Sequence, residues 1–172
     1  MDEFLQTDMD QITDKIYLGN CGAAKDIYNL KNEGISKILS VMDKYAPQYK
    51  REDNLLQKVI KVSDSPYENI IKYFRECFAF IEGNNKILIH CMGGSSRSPS
   101  IVIAYIMWKY QLPFNESFNF VNEKRPFIFP NAGFIKQLKI FEILLNKNYY
   151  NLNKIDFQNI KFKHNLVANG WY

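Results

Sequence analysis

Cys91 and Arg97 stand six positions apart, separated by Met92-Gly93-Gly94-Ser95-Ser96, with His90 before the cysteine and Ser98 after the arginine. The apolar run 86–89 precedes this stretch and a helical pattern follows it. Small residues between a strand and a helix let the backbone of Met92, Gly93, Gly94, Ser95 and Ser96 curl so that its N–H groups converge. The helix adds the positive end of its dipole, and such a nest binds a phosphoryl dianion. A cysteine at its mouth meets amides, a helix terminus and Arg97, surroundings that favour thiolate over thiol and make sulfur a nucleophile. The planar fork of Arg97 grips two phosphate oxygens in a way that lysine does not. The Ser98 hydroxyl is placed to donate to the sulfur when it departs as leaving group. Taken singly, a cysteine after a buried strand is usually a small core residue and a Gly-Gly pair a turn. Their joint occurrence with Arg-Ser at one strand-to-helix junction is what points to phosphoryl transfer onto sulfur.

These residues need a frame. Residues 12–19 read as a hairpin-like entry, Ala23, Ala24, Ile27 and Leu30 as one helix ended by Gly34, and 35–41 as a strand. A loop with Pro47, a strand over 55–62 and a helix through Ile70, Ile71, Phe74, Phe78 and Ile81 follow, before the strand 86–89. Helices over 98–110, 115–124 and 132–145 are separated by Pro113, Pro126 and Pro130. Strands alternating with helices predict a single α/β domain with a central, mostly parallel sheet flanked by helices. Residues 11–145 form that body, preceded by an acidic N-terminal segment, 1–10, and followed by a C-terminal tail, 146–172. The tail holds seven asparagines, four lysines and one aspartate. The spacing of Ile155, Phe157, Ile160 and Phe162, with Trp171 beyond, predicts an extended segment that packs on the body or on a partner.

Composition narrows the class. Of 172 residues 47% are hydrophobic and 23% charged, the profile of a globular protein. Apolar runs such as 101–108 fall short of the ~18 residues a membrane span needs. The ends carry no signal peptide or lipidation motif, so a cytoplasmic address is expected, with the nucleus also open. Cys21, Cys77 and Cys91 have no spacing of a disulfide scaffold or zinc module and are expected as reduced thiols. The net charge is +4, and four acids without a base in the first ten residues leave +8 on residues 11–172. The bases are scattered, which suits an anionic substrate and not a nucleic-acid footprint. Two histidines, His90 and His164, without clustered carboxylates argue against a metal or other cofactor. The oligomeric state stays open.

The sequence resembles the cysteine-based protein phosphatases, and within them the dual-specificity branch. The likeness rests on Cys91-x5-Arg97-Ser98 with Lys86-Ile-Leu-Ile-His90 before it, and on Ala104-Tyr105-Ile106-Met107 after it. Arg125-Pro126, Pro130-Asn131-Ala132-Gly133-Phe134, Gln137-Leu138, Ile16-Tyr17-Leu18-Gly19 and Gly34-Ile35 extend it over residues 11–145. The resemblance implies hydrolysis of phosphotyrosine and phosphoserine/threonine in proteins through a phosphocysteine intermediate, without metal. It also implies a general acid ahead of the loop, and Asp64, 27 positions before Cys91, stands where the family places it, with Asp43 and Asp53 as rivals. Ser65-Pro66-Tyr67-Glu68 reads as a capping box that leaves Asp64 free. The family's asparagine at Asn131 braces the loop and also suits a helix N-cap. His90 is either a tuning group for the thiolate or a strand-end histidine bound to backbone. A lipid or RNA phosphatase on the same loop and a phospho-binding pseudoenzyme are the alternatives. The uncharged Met92, Gly94 and Ser95 speak against the lipid reading, and the retention of Cys91, Arg97 and Asp64 against the pseudoenzyme.

Overall fold

A computed structural model describes residues 8–160. Five strands form one sheet: β1 (Met9–Gln11), β2 (Ile16–Gly19), β3 (Ile35–Val41), β4 (Leu56–Ile60) and β5 (Lys86–His90), in the order β1-β2-β5-β3-β4. Only β1 runs antiparallel, paired with β2, while β2, β5, β3 and β4 are parallel neighbours. β5 therefore lies at the centre, and its carboxyl end opens between strands that lead in different directions, where α/β sheets hold ligands.

The central strands are apolar on both faces because both are covered. Tyr17, Ile35, Ile38 and Leu88 pack with Ala23, Ala24 and Leu30 of two short helices, α1 (Cys21–Lys25) and α2 (Ile27–Asn32). Ile16, Leu18, Leu39, Val41, Ile87 and Ile89 meet α3 (Phe74–Ile81), α4 (Arg97–Tyr110), α5 (Phe114–Lys124) and α6 (Ala132–Lys147) on the other face. α4 is buried along residues 97–107, so the helix that starts at the candidate nest is the spine of this layer.

Several elements depart from the sequence reading. The single helix expected through Ala23 and Leu30 is two, because the Asp26 carboxylate accepts from Asn29 N–H at 3.0 Å and caps a new helix. The Ser65–Glu68 stretch is a turn and not a helix start. The donors at Ile70 and Ile71 are instead capped by the Gln137 carboxamide oxygen of α6, at 2.9 and 3.1 Å. Gln137 is distant in sequence and invisible to a local capping rule.

Residues assigned to the terminal segments also join the body. Met9 and Asp10 of the acidic segment belong to β1, and the Asp8 carbonyl accepts from Asn20 N–H at 2.8 Å. At the other end Ile155 and Phe157 are buried, Phe157 lies 6.0 Å from the Phe141 ring, and Arg75 donates to the Leu152 and Ile155 carbonyls. A 3-10 turn at Leu152–Lys154 precedes this segment, and residues 157–159 turn where an extended run was expected. Phe162 and Trp171 lie outside the described residues.

Candidate active site

The loop from Cys91 to Ser96 follows β5 and leads into α4. Its carbonyls are tied to surrounding elements: Met92 O accepts from Cys21 N–H (3.0 Å), Gly94 O from Arg125 Nε (2.9 Å) and Ser95 O from Phe129 N–H (2.6 Å). Ser96 O accepts from the Ser100 N–H and hydroxyl, at 3.2 and 2.7 Å. In a planar trans peptide the N–H points opposite to the C=O. Four carbonyls held outward therefore turn the N–H groups of Gly93, Ser95, Ser96 and Arg97 inward, which is the geometry of an anion nest. Gly94 makes the curl possible: its φ is +65°, and a Cβ there would come within 2.6 Å of the Gly19 carbonyl oxygen.

Cys91 sits at the base of this loop, 2% exposed, and accepts a hydrogen bond from the Ser98 hydroxyl at 3.2 Å. His90 is fully buried beside it. Its Nε2 lies 2.7 Å from the Ser40 hydroxyl, which also accepts from Gln57, and its Nδ1 lies 3.3 Å from the Cys91 carbonyl. Burial pushes the imidazole down to about 4, with the Arg97 charge adding to this and the Cys91 carbonyl opposing it, so His90 is neutral at pH 7. Its ring is thus held by the Cys91 backbone and by Ser40.

Arg97 is the first residue of α4, and its side chain is buried. Nη1 donates to the Asp43 carboxylate (3.1 Å) and the Val62 carbonyl (3.2 Å), while Nε is buried with no hydrogen-bond partner among the described residues. A desolvated donor without a partner is costly, and an anion in the loop would satisfy it. Partial desolvation works to raise the Asp43 carboxyl, but its own backbone N–H and the Arg97 guanidinium, with help from Ser63, hold it below its ordinary value. Asp43 is thus engaged with the arginine. Asp53 accepts from Lys50 N–H at 2.8 Å and shapes the β3–β4 connection.

Asp64 is exposed, and its Oδ1 accepts from the Ser96 hydroxyl (2.7 Å) and the Asn131 side-chain amide (2.9 Å). Ser96 in turn accepts from Asn131 N–H at 3.1 Å, and the Asn131 oxygen caps α6 through Phe134 N–H at 3.0 Å. Two donors on Oδ1 fix the carboxyl beside Ser96 at the edge of the loop. The connection that carries Asp64 lies flush on α6, since a Cβ on Gly133 would fall 1.9 Å from the Pro66 carbonyl oxygen.

This geometry agrees with what the chain is similar to. Residues 16–143 match the family model described as "Dual specificity phosphatase, catalytic domain". The chain belongs to the dual-specificity phosphatase family. A probable dual specificity protein phosphatase of Dictyostelium discoideum is 38% identical over 147 residues, covering 84% of this chain and 36% of the relative. Dual specificity protein phosphatase 1B of Arabidopsis thaliana is 34% identical, covering 82% of this chain and 86% of the relative. The crystal structure of DUSP15 superposes with a TM-score of 0.75 at 32% identity, covering 83% of this chain and 92% of that one. The chain spans 36% of the length of the Dictyostelium relative and only 16–19% of the longer curated relatives it matches.

Within this dual-specificity phosphatase fold Cys91, Ser98, Arg97, Asp64, Ser96 and Asn131 converge on one mouth at the end of β5, and Asp53 does not. The Ser96 side chain, read from sequence only as part of the phosphate-binding loop, is committed to Asp64. Sequence reasoning used Arg125 only as part of the family likeness, with no role at the site, and missed Asp10. Arg125 has 0% side-chain exposure, and its Nη1 donates to Asp10 at 2.6 Å while Nε holds Gly94. The Arg125-Pro126 pair supports the family likeness without saying what the arginine touches, because its partner lies 115 positions away. Among the described residues no group of three or more His, Cys, Asp or Glu side chains is arranged to hold a metal, and no helix is long and apolar enough to cross a membrane.

Proposed function

We propose that this protein hydrolyses phosphotyrosine and phosphoserine/threonine in protein substrates through a phosphocysteine intermediate on Cys91. The observation that carries the reading is the Cys91 sulfur, held at 3.2 Å from Ser98 inside a loop four of whose carbonyls are bound outward. In the first step the Cys91 thiolate attacks phosphorus while the inward N–H groups and Arg97 bind the equatorial oxygens. Asp64 gives its proton to the departing phenolate or alkoxide. In the second step Asp64 takes a proton from water as it attacks the phosphocysteine. The Ser98 hydroxyl donates to the leaving sulfur and phosphate departs.

Two features favour proteins over other phosphoesters. The loop side chains of Met92, Gly93, Gly94 and Ser95 are uncharged and offer nothing to the additional phosphates of an inositide. Exposed apolar residues stand on the loop itself and on segments next to it, Met92 on the loop, Tyr67 three residues after Asp64 and Phe129 bound through its N–H to Ser95, and they suit a peptide's side chains. Hydrolysis of a phosphotyrosine peptide, a phosphothreonine peptide, a phosphoinositide and a 5′-phosphorylated RNA, run side by side in chelator, tests the reading. Turnover of both peptides well above the others is expected. Preference for the lipid or the RNA, or no turnover with retained phosphopeptide binding, would replace it with one of the alternatives.

A further inference from the structure

We infer that Asp10 and Arg125 act as a positioning pair that sets the shape of the phosphate loop, which makes strand β1 part of the catalytic machinery although it precedes the family-matched region 16–143. The inference rests on the reading of the Cys91 loop given above.

A guanidinium with no solvent exposure is costly to bury and persists only where its partners compensate. Here Nη1 meets Asp10 at 2.6 Å, Nε meets the Gly94 carbonyl at 2.9 Å, and the Phe127 ring lies against the planar group at 4.2 Å. Three remote segments thus meet behind one peptide of the loop: β1 through Asp10, the end of α5 through Arg125, and the end of β2 through Gly19. Gly94 fits between the last two with no room to spare, since a Cβ on it would approach Arg125 Nη2 and the Gly19 carbonyl oxygen to 2.6 Å each.

The consequence for chemistry follows from peptide geometry. Arg125 pulls the Gly94 carbonyl outward, and that turns the Ser95 N–H inward towards the phosphate. Asp10 fixes the guanidinium that does the pulling, and it is fixed itself because Asp10 pairs with Leu18 in the β1–β2 ladder. A lysine at position 125 would keep a charge but could not span Asp10 and Gly94 with a planar fork.

The test uses the full chain with Asp10→Asn, Asp10→Glu, Arg125→Lys and the double variant Asp10→Asn/Arg125→Lys. Turnover of p-nitrophenyl phosphate, binding of inorganic phosphate by calorimetry and melting are measured on each, with assays kept well below the melting point. Asp10→Asn and Arg125→Lys should each lower kcat/KM on the order of 10²-fold, the usual cost of a small displacement at a reacting centre, and weaken phosphate binding. The double variant should lose no more than the worse single one, because the two side chains act as a unit, and Asp10→Glu should recover part of the loss. Asp14→Asn, exposed in the turn after β1, should leave all three measurements unchanged. Variants that melt lower yet keep kcat, KM and phosphate affinity would reduce the pair to a structural brace, and multiplicative losses in the double variant would break the proposed coupling. If the unaltered protein turned nothing over, the functional reading would fail, while phosphate binding across the series would still decide the role of the pair.

Discussion

The Ser98 hydroxyl donates to the Cys91 sulfur across 3.2 Å, from the second residue of α4 back to the first residue after β5. A donor in that place has little to offer an attacking thiolate and much to offer a departing one. Ser98→Ala should therefore slow breakdown of the phosphocysteine more than its formation, by about 10²-fold if it matches the loss of one preorganised donor elsewhere. Rapid-mixing assays with p-nitrophenyl phosphate should then show a burst of one equivalent before slow turnover. Equal slowing of both steps would remove Ser98 from the second step. Cys91→Ser should abolish turnover and still bind phosphate.

Arg97 reaches the Asp43 carboxylate, so the clamp is held on one side by a residue that lies in no recognised motif. Arg97→Lys should lose nearly all activity, because a point charge cannot grip two oxygens in one plane. Asp43→Asn keeps a hydrogen-bond acceptor and loses the charge, so it should raise KM by less than Arg97→Lys lowers kcat/KM. Steady-state kinetics on an aryl phosphate distinguish the two, and an Arg97→Lys enzyme with near-normal constants would contradict the clamp.

Asp64→Asn should cost about 10²–10⁴-fold on alkyl and phenyl esters with poor leaving groups and far less on activated aryl esters. Rates plotted against leaving-group pKa check this, and a parallel loss across the series would assign the acid elsewhere. The candidate acid was legible in the sequence from its place after a strand, and so were the nest, the arginine and the order of strands and helices. What holds Asp64 was not. Ser96 lies 32 positions and Asn131 67 positions away, and neither hydrogen bond leaves a periodic trace. The same limit hid Gln137 as the cap for Ile70 and Ile71, and Asp10 as the partner of Arg125. Local pattern places elements, whereas a side chain that closes a contact between distant elements is visible only once they are packed.

His90 predicts a pH dependence of stability. Its imidazole titrates at about 4 in the fold against an ordinary ~6.5, so the unfolded chain binds the extra proton between those values and folding loses ground as pH falls through that window. The stability is intact above pH ~6.5 and should have dropped by about 2 kcal/mol at pH 5 through this group. Urea midpoints at pH 7 and pH 5 should differ more for the unaltered protein than for His90→Gln. Equal differences would mean that another group governs the acid limb.

Oxidation supplies the last expectation, because Cys91 does not stand alone. β2 and β5 run parallel with Gly19 opposite His90, which sets Cys21 close to Cys91 just past the strand ends, and the two sulfur side chains share one buried cluster with Met42. The Cys21 N–H also donates to the Met92 carbonyl at 3.0 Å. Hydrogen peroxide should convert the Cys91 thiolate to a sulfenic acid with loss of activity. Attack by the Cys21 thiol would then form a disulfide and release water, halting the climb to sulfinic acid. Cys77 is buried in the main core, where burial pushes its thiol well above the ordinary value, and it should take no part. Dithiothreitol should therefore restore nearly full activity to the peroxide-treated protein and to Cys77→Ser, but only a fraction to Cys21→Ser, in which oxidation runs on past the reversible stage. Mass spectrometry of the treated protein should show a loss of two hydrogens linking the peptides of Cys21 and Cys91. A Cys91 sulfenic acid that recovers equally well in Cys21→Ser would leave Cys21 as a packing residue.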